Sequence, residues 1–322
     1  MVSYLQQWRD HATLDGASRP LSLFFFWLFL TVPVYVLLPF SFPSLAALAA
    51  PDFIVNSMMG GRALIKSFGE QLFFFGFTDR ARGIFSSAIH FACVVLLLLP
   101  FALHQRKTLI GKAVIYALAA AMIFYAQARV FLVLLGAYPF AVLCLKLLLG
   151  KRVNPLITIY ASLLFLCGIV VMISYISVIS EALNELFFGA RKGSAEDRSV
   201  IYEITWRMIK ESPILGYGTQ VDIVEVPYPA GSHSTFLGIW FKQGFFGLAL
   251  IVAMFLAVIR RLFRYAKLSS GPEGNLAIGF LAAFLLYTAA LIVNEYIVDV
   301  GHTYILFMLI GVAACLPVRK KR

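Results

Sequence analysis

The sequence predicts an all-α polytopic membrane protein, with about eight transmembrane helices forming one membrane domain over residues 1–322. Three observations predict it. Of 322 residues, 61% are hydrophobic and only 13% are charged, which is more apolar surface than a water-soluble fold buries. Apolar runs of about 20 residues, the length that crosses a bilayer, recur along the chain. The basic residues gather in short clusters between those runs.

Residues 1–20 are polar and mixed in charge, with no small-residue cleavage site after a short apolar core. The run 21–40 therefore reads as a retained helix rather than a cleaved signal. Further spans read at 86–104, 109–127, 130–149, 155–178, 234–259, 276–294 and 300–317. The third and fourth share one apolar stretch, 113–149, which is too long for a single crossing. It must turn once, and Gln127 and Arg129 put the turn near Arg129. Basic clusters then choose the orientation. They are Arg106, Lys107 and Lys112; Lys151 and Arg152; Arg260, Arg261, Arg264 and Lys267; and Arg319 to Arg322. With the N-terminus inside, all four clusters are cytoplasmic. Segments 41–85 and 179–233 then face outward, with the Arg129 turn and the short connection 295–299. Segment 41–85 is half apolar, carries Pro43 and Gly60-Gly61, and suits short helices lying along the interface.

Several function classes fall away. The formal charge of +11 comes from 27 Lys plus Arg against 16 Asp plus Glu, and topology accounts for it. A nucleic-acid partner would need a basic patch on a folded soluble surface, and none is present. Cys93, Cys144, Cys167 and Cys315 all lie in apolar runs and read as small buried hydrophobes. There is no phosphate-binding glycine loop, no GxSxG, no HExxH and no zinc spacing, so neither a metal nor a cofactor is expected.

What remains is a polar island between two apolar runs. It reads Ser194-Ala-Glu-Asp-Arg-Ser-Val-Ile-Tyr202, then Glu211-Ser-Pro-Ile-Leu-Gly-Tyr-Gly218, Gly231-Ser-His-Ser-Thr-Phe-Leu-Gly238 and Gly244-Phe-Phe-Gly247. Ser194 with Asp197 resembles a capping box, and a helix is expected from about 196 to 210, ending before Pro213. On it Arg198, Tyr202 and Thr205 share one face at i, i+4 and i+7. Ile201, Ile204, Met208 and Ile209 form an apolar stripe. His233 is expected in the first turn of the sixth span. A helix N-terminus favours an anion and keeps an imidazole neutral, so His233 reads either as a general base or as a surface histidine capping a helix. Arg129 has no Asp or Glu within its two spans, which leaves a ligand contact or snorkelling to the headgroups. Arg80 and Arg82 precede the second span, where Asp79 offers a solvated salt bridge instead. Outer arginines run against the usual inward bias, so several of them suggest a shared anionic ligand. Glu295, Asp299 and His302 share a helical face, as a structural polar cluster or an ion path.

The motifs Arg198-Ser-Val-Ile-Tyr202, Pro213-Ile-Leu-Gly-Tyr-Gly218, Gly231-Ser-His-Ser-Thr-Phe-Leu237 and Gly244-Phe-Phe-Gly247 together resemble the signature of the bacterial O-antigen ligase and polymerase superfamily. Ala128-Arg129 and Arg82-Gly83 resemble two further elements of it. The resemblance spans about 80–260 and is most specific at 194–247. Ser234 stands where the family commonly has Asn, and eight spans are fewer than its usual ten to twelve. The resemblance implies a GT-C-like, metal-independent glycosyltransferase at the outer face of the bacterial inner membrane. Its donor would be an undecaprenyl-pyrophosphate-linked glycan, held among membrane lipids with the prenyl chain between spans. Its acceptor would be lipid A-core or another glycan, since ligation and polymerisation share these motifs. Arg129 and Arg198 would clamp the pyrophosphate, Arg82 would orient the donor, and His233 would take the acceptor proton. The competing class is a non-catalytic transporter or flippase for a lipid-linked saccharide, which would tolerate Ala at position 233.

Overall fold

The computed structural model describes residues 14–41, 88–126, 128–151, 153, 192–219, 221–223, 229–231, 233–293 and 300–316. Among them every regular element is helical. In chain order these are α1 (Leu14–Ser41), α2 (Ala88–His104), α3 (Leu109–Tyr125), α4 (Arg129–Leu148), α5 (Lys192–Glu211), α6 (Thr235–Leu268), α7 (Gly271–Val293) and α8 (Val300–Cys315). Three stretches are long and apolar enough to cross a membrane: Val130–Leu148, Thr235–Leu268 and Gly271–Ile292. Three shorter apolar helices are Ile89–His104, Leu109–Tyr125 and Ile305–Cys315. The described residues are thus those of a helical integral membrane protein. The expected span 155–178, the segment 41–85 and the connection 295–299 lie outside the described residues.

The expected turn within 113–149 is present. α3 begins at Thr108, whose side chain accepts from the Gly111 N–H at 3.1 Å, and it ends at Ala126. α4 starts at Arg129, with the Ala128 carbonyl accepting from the Phe131 and Leu132 amides. Two short helices separated by a break replace one run too long for the bilayer.

Packing divides the chain into two compact units. The first holds α1 to α3, the start of α4, the end of α6 from Val258, α7 as far as Tyr287, and α8. Its centre is α2, which packs on α1, α3 and α8. Residues Phe91 to Leu99 of α2 are all fully buried, so this helix is apolar all round because it is surrounded. Phe101 meets Phe280 of α7 at 5.0 Å between ring centroids. The second unit holds the rest of α4, α5, α6 as far as Ala257 and the end of α7 from Thr288. Its core gathers Ile201, Ile209, Ile223, Ala230 and Phe241, with Ile204, Met208 and Trp240 packed around it. The expected stripe of α5 is therefore the one it buries. Among the cysteines, Cys93 is buried but Cys144 is exposed on α4, a helix that leaves most of its surface uncovered.

Candidate functional site

The site is built from α5, the turn after it and the entry to α6, all within the second unit. α5 begins at Lys192, so Ser194 is helical rather than its cap. The face bearing Arg198, Tyr202 and Thr205 meets the 230–233 segment. Thr205 is fully buried, and its Oγ1 accepts from the Gly231 N–H at 2.8 Å. One turn earlier the Tyr202 hydroxyl donates to the His233 carbonyl at 2.8 Å. Burial pushes the Tyr202 hydroxyl above its ordinary pKa, and the positive charge of Arg198 partly offsets this. Arg198 therefore stands beside the tyrosine that holds the histidine. The Arg198 Nε is buried and has no hydrogen-bond partner among the described residues. A buried guanidinium nitrogen of this kind is suited to take an acceptor oxygen.

His233 is not in the first turn of α6. It lies two residues ahead of Thr235, at φ 65°, the one non-glycine residue with positive φ among those described. Ser234 is the cap instead: its Oγ accepts from the Leu237 N–H at 3.3 Å, and its carbonyl accepts from Gly238 at 2.9 Å. Ser and Asn are about equally good at this position, so Ser234 in place of Asn preserves the helix entry. The left-handed conformation costs a histidine free energy, and it persists because three bonds impose it. Gly231 is tied to Thr205, His233 to Tyr202, and Ser234 to α6.

Behind the site, α6 is broken at Gly244, whose φ of 69° and ψ of −170° are not helical. The break leaves the carbonyls of Phe241 and Lys242 without their helical partners. The amides of Tyr217 and Gly218 supply replacements at 2.9 and 2.8 Å, and the Phe245 amide turns to the Pro213 carbonyl at 2.9 Å. The Trp240 indole N–H donates to the same carbonyl at 3.0 Å. The 213–218 turn thus closes the gap in α6 amide by amide. Both glycines that meet there are sterically required. A Cβ on Gly244 would fall 1.9 Å from the Ile214 carbonyl oxygen, and one on Gly216 would fall 2.5 Å from the Gly244 nitrogen. The ring of Tyr217 stacks on Phe241 at 5.0 Å, and Glu211, which accepts from the Tyr217 hydroxyl, pushes its pKa up.

A protein-family model described as O-antigen ligase matches residues 91–252, half of the chain. The chain belongs to the O-antigen ligase family. The match includes α5, the 213–218 turn, His233 and the Gly244 break of this family member. A curated O-antigen ligase from Salmonella typhimurium (strain LT2) is 39% identical over 69 aligned residues, covering 17% of this chain and 17% of that protein. This chain therefore matches well under two thirds of that relative's length. No solved structure matches it.

Of the four site residues expected for this O-antigen ligase family member, His233 accepts through its carbonyl from Tyr202, and Arg198 lies within electrostatic reach of the same tyrosine. Arg129 belongs to the first unit, where it opens α4. Arg82 lies outside the described residues, as do Glu295 and Asp299. Sequence reasoning placed Tyr202 and Thr205 on the right face without assigning them a task. Both bond to backbone across a gap of more than twenty residues, which no local pattern signals.

Proposed function

We propose that this O-antigen ligase family member transfers a glycan from undecaprenyl pyrophosphate to a sugar hydroxyl, at the outer face of the bacterial inner membrane. The observation that carries this reading is the Tyr202 hydroxyl, which donates to the His233 carbonyl and lies within the electrostatic reach of Arg198. In the reaction the acceptor oxygen attacks the anomeric carbon as the bond from that carbon to the pyrophosphate oxygen breaks. The bonding pair leaves with the pyrophosphate, and the acceptor proton passes to the His233 imidazole. Pyrophosphate is a poor leaving group until its charge is neutralised. Arg198, with an unpaired buried Nε, and Arg129 supply that neutralisation, and Arg82 orients the donor. The eight-span GT-C-like membrane domain holds the prenyl chain among lipids, and lipid A-core or a second glycan supplies the hydroxyl. The arginines take the charge without a metal.

The test is incubation of the purified protein with a lipid-linked glycan and candidate acceptors, followed by analysis of products. Transfer by the wild type and its loss in His233→Ala are expected, with the variant still binding donor. Donor movement across vesicles with no product, and equal behaviour of His233→Ala, would instead identify a carrier of lipid-linked saccharide.

A further inference from the structure

We infer that the 213–218 turn is immersed in the apolar edge of the bilayer, with Ile214 and Leu215 as its anchors. At the tip of the turn Ile214 is 57% exposed and Leu215 is 76% exposed. The main chain on both sides of the tip is fixed. Tyr217 and Gly218 are bonded to α6, Phe245 and Trp240 are bonded to Pro213, and Gly216 is bonded to Ser212. Beside the tip, Phe245 and Phe246 are also exposed. Four large apolar side chains thus share one patch, which an aqueous loop would not present without a partner.

The occupant follows from what the patch joins. Starting at Phe246, the exposed residues of α6 continue through Ala249, Leu250, Val252, Ala253, Leu256 and Ala257. These fall three or four positions apart and make one helical stripe. α6 is long and apolar enough to cross a membrane, so an exposed apolar stripe on it faces hydrocarbon. The patch is the upper end of that stripe. Its border has the composition of a headgroup layer. Trp206 and Trp240 pack edge to face at 5.4 Å, Lys210 lies over the Trp206 ring, and the Tyr217 hydroxyl donates to Glu211. The turn that the sequence assigns to an outer loop is therefore a lipid contact, and it pins the C-terminal end of α5 to the membrane. This inference rests on the membrane placement of α6 and not on the transferase reading.

The test uses the full chain with Cys93, Cys144, Cys167 and Cys315 replaced by Ala. A single Leu215→Cys carries an environment-sensitive fluorophore, and the protein is reconstituted in phosphatidylcholine–phosphatidylglycerol vesicles. Glu203→Cys, on an exposed side chain of α5, is the aqueous reference. Quenching by aqueous iodide should be several-fold weaker at 215 than at 203, and doxyl groups on lipid acyl chains should quench only at 215. Equal iodide quenching at both positions would overturn the inference. Shielding of 215 from both quenchers would also overturn it, by showing that protein, such as a second copy of the chain, covers the tip. Ile214→Cys repeats the measurement if the first variant does not fold.

Discussion

His233 occupies a backbone region that costs a non-glycine residue about 1–3 kcal/mol unless its neighbours impose it. Tyr202 is the neighbour with direct hold on the histidine carbonyl. Tyr202→Phe keeps the ring and loses one hydrogen bond, worth about 1 kcal/mol. Transfer should slow by several-fold with kcat falling more than KM changes, as steady-state kinetics would read. Because the hydroxyl pKa is raised, its proton stays in place through neutral and mildly alkaline pH, and the bond should not limit activity there. His233→Ala should cut transfer by about a hundredfold, the scale of a general base, while donor binding measured separately persists. His233→Gln keeps polarity but is a poor proton acceptor, and near-normal rates in it would reduce His233 to positioning. Arg198→Lys should lose more than about tenfold, because an ammonium lacks the planar two-pronged donor. Wild-type rates in that variant would remove Arg198 from the clamp. The shared face of Arg198, Tyr202 and Thr205 was legible from spacing alone. The positive φ of His233 was not, since three bonds to α5 and α6 create it. Ser234 as the cap was legible in principle, because Ser before an apolar run is the ordinary signal.

At the scale of the element, the break in α6 sets the behaviour of the whole site. Gly244→Ala meets both a left-handed φ and the Ile214 carbonyl, whereas Gly218→Ala meets only φ 72° with nothing within 4 Å of the added carbon. The second should cost about 1–2 kcal/mol of strain. The first should lower the melting temperature in detergent clearly further and release the turn from α6. Equal melting temperatures for the two variants would show that the join does not bear on stability. From sequence, 234–259 reads as one uninterrupted helix. Glycine in an apolar helix is often tolerated, and the amides that satisfy the freed carbonyls come from residues 24 positions earlier. The start of α4 at Arg129 was legible, because bilayer thickness limits how far one apolar run extends.

For the whole molecule, the orientation rests on charge. On the expectation that the four basic clusters lie inside, Ser194→Cys should react with an impermeant thiol reagent on intact cells and Ser269→Cys should not. Labelling at 269 but not at 194 would reverse the orientation. Among the described residues, helix positions were legible because hydropathy and length act along the chain. The division into two compact units was not, because it depends on which faces pack together. The join between the 213–218 turn and α6 is made largely by main-chain atoms and by the absence of two side chains. Such a join is indifferent to the identity of the residues around it and sensitive to their number. Point substitutions can accumulate on both strands of the contact across distant lineages. A single inserted or deleted residue within 213–218 or 241–245 shifts every amide out of step with its carbonyl. Recombination between divergent genes should therefore yield folded chimaeras when the crossover conserves the length of both stretches, even at low identity. Those that change either length should be lost.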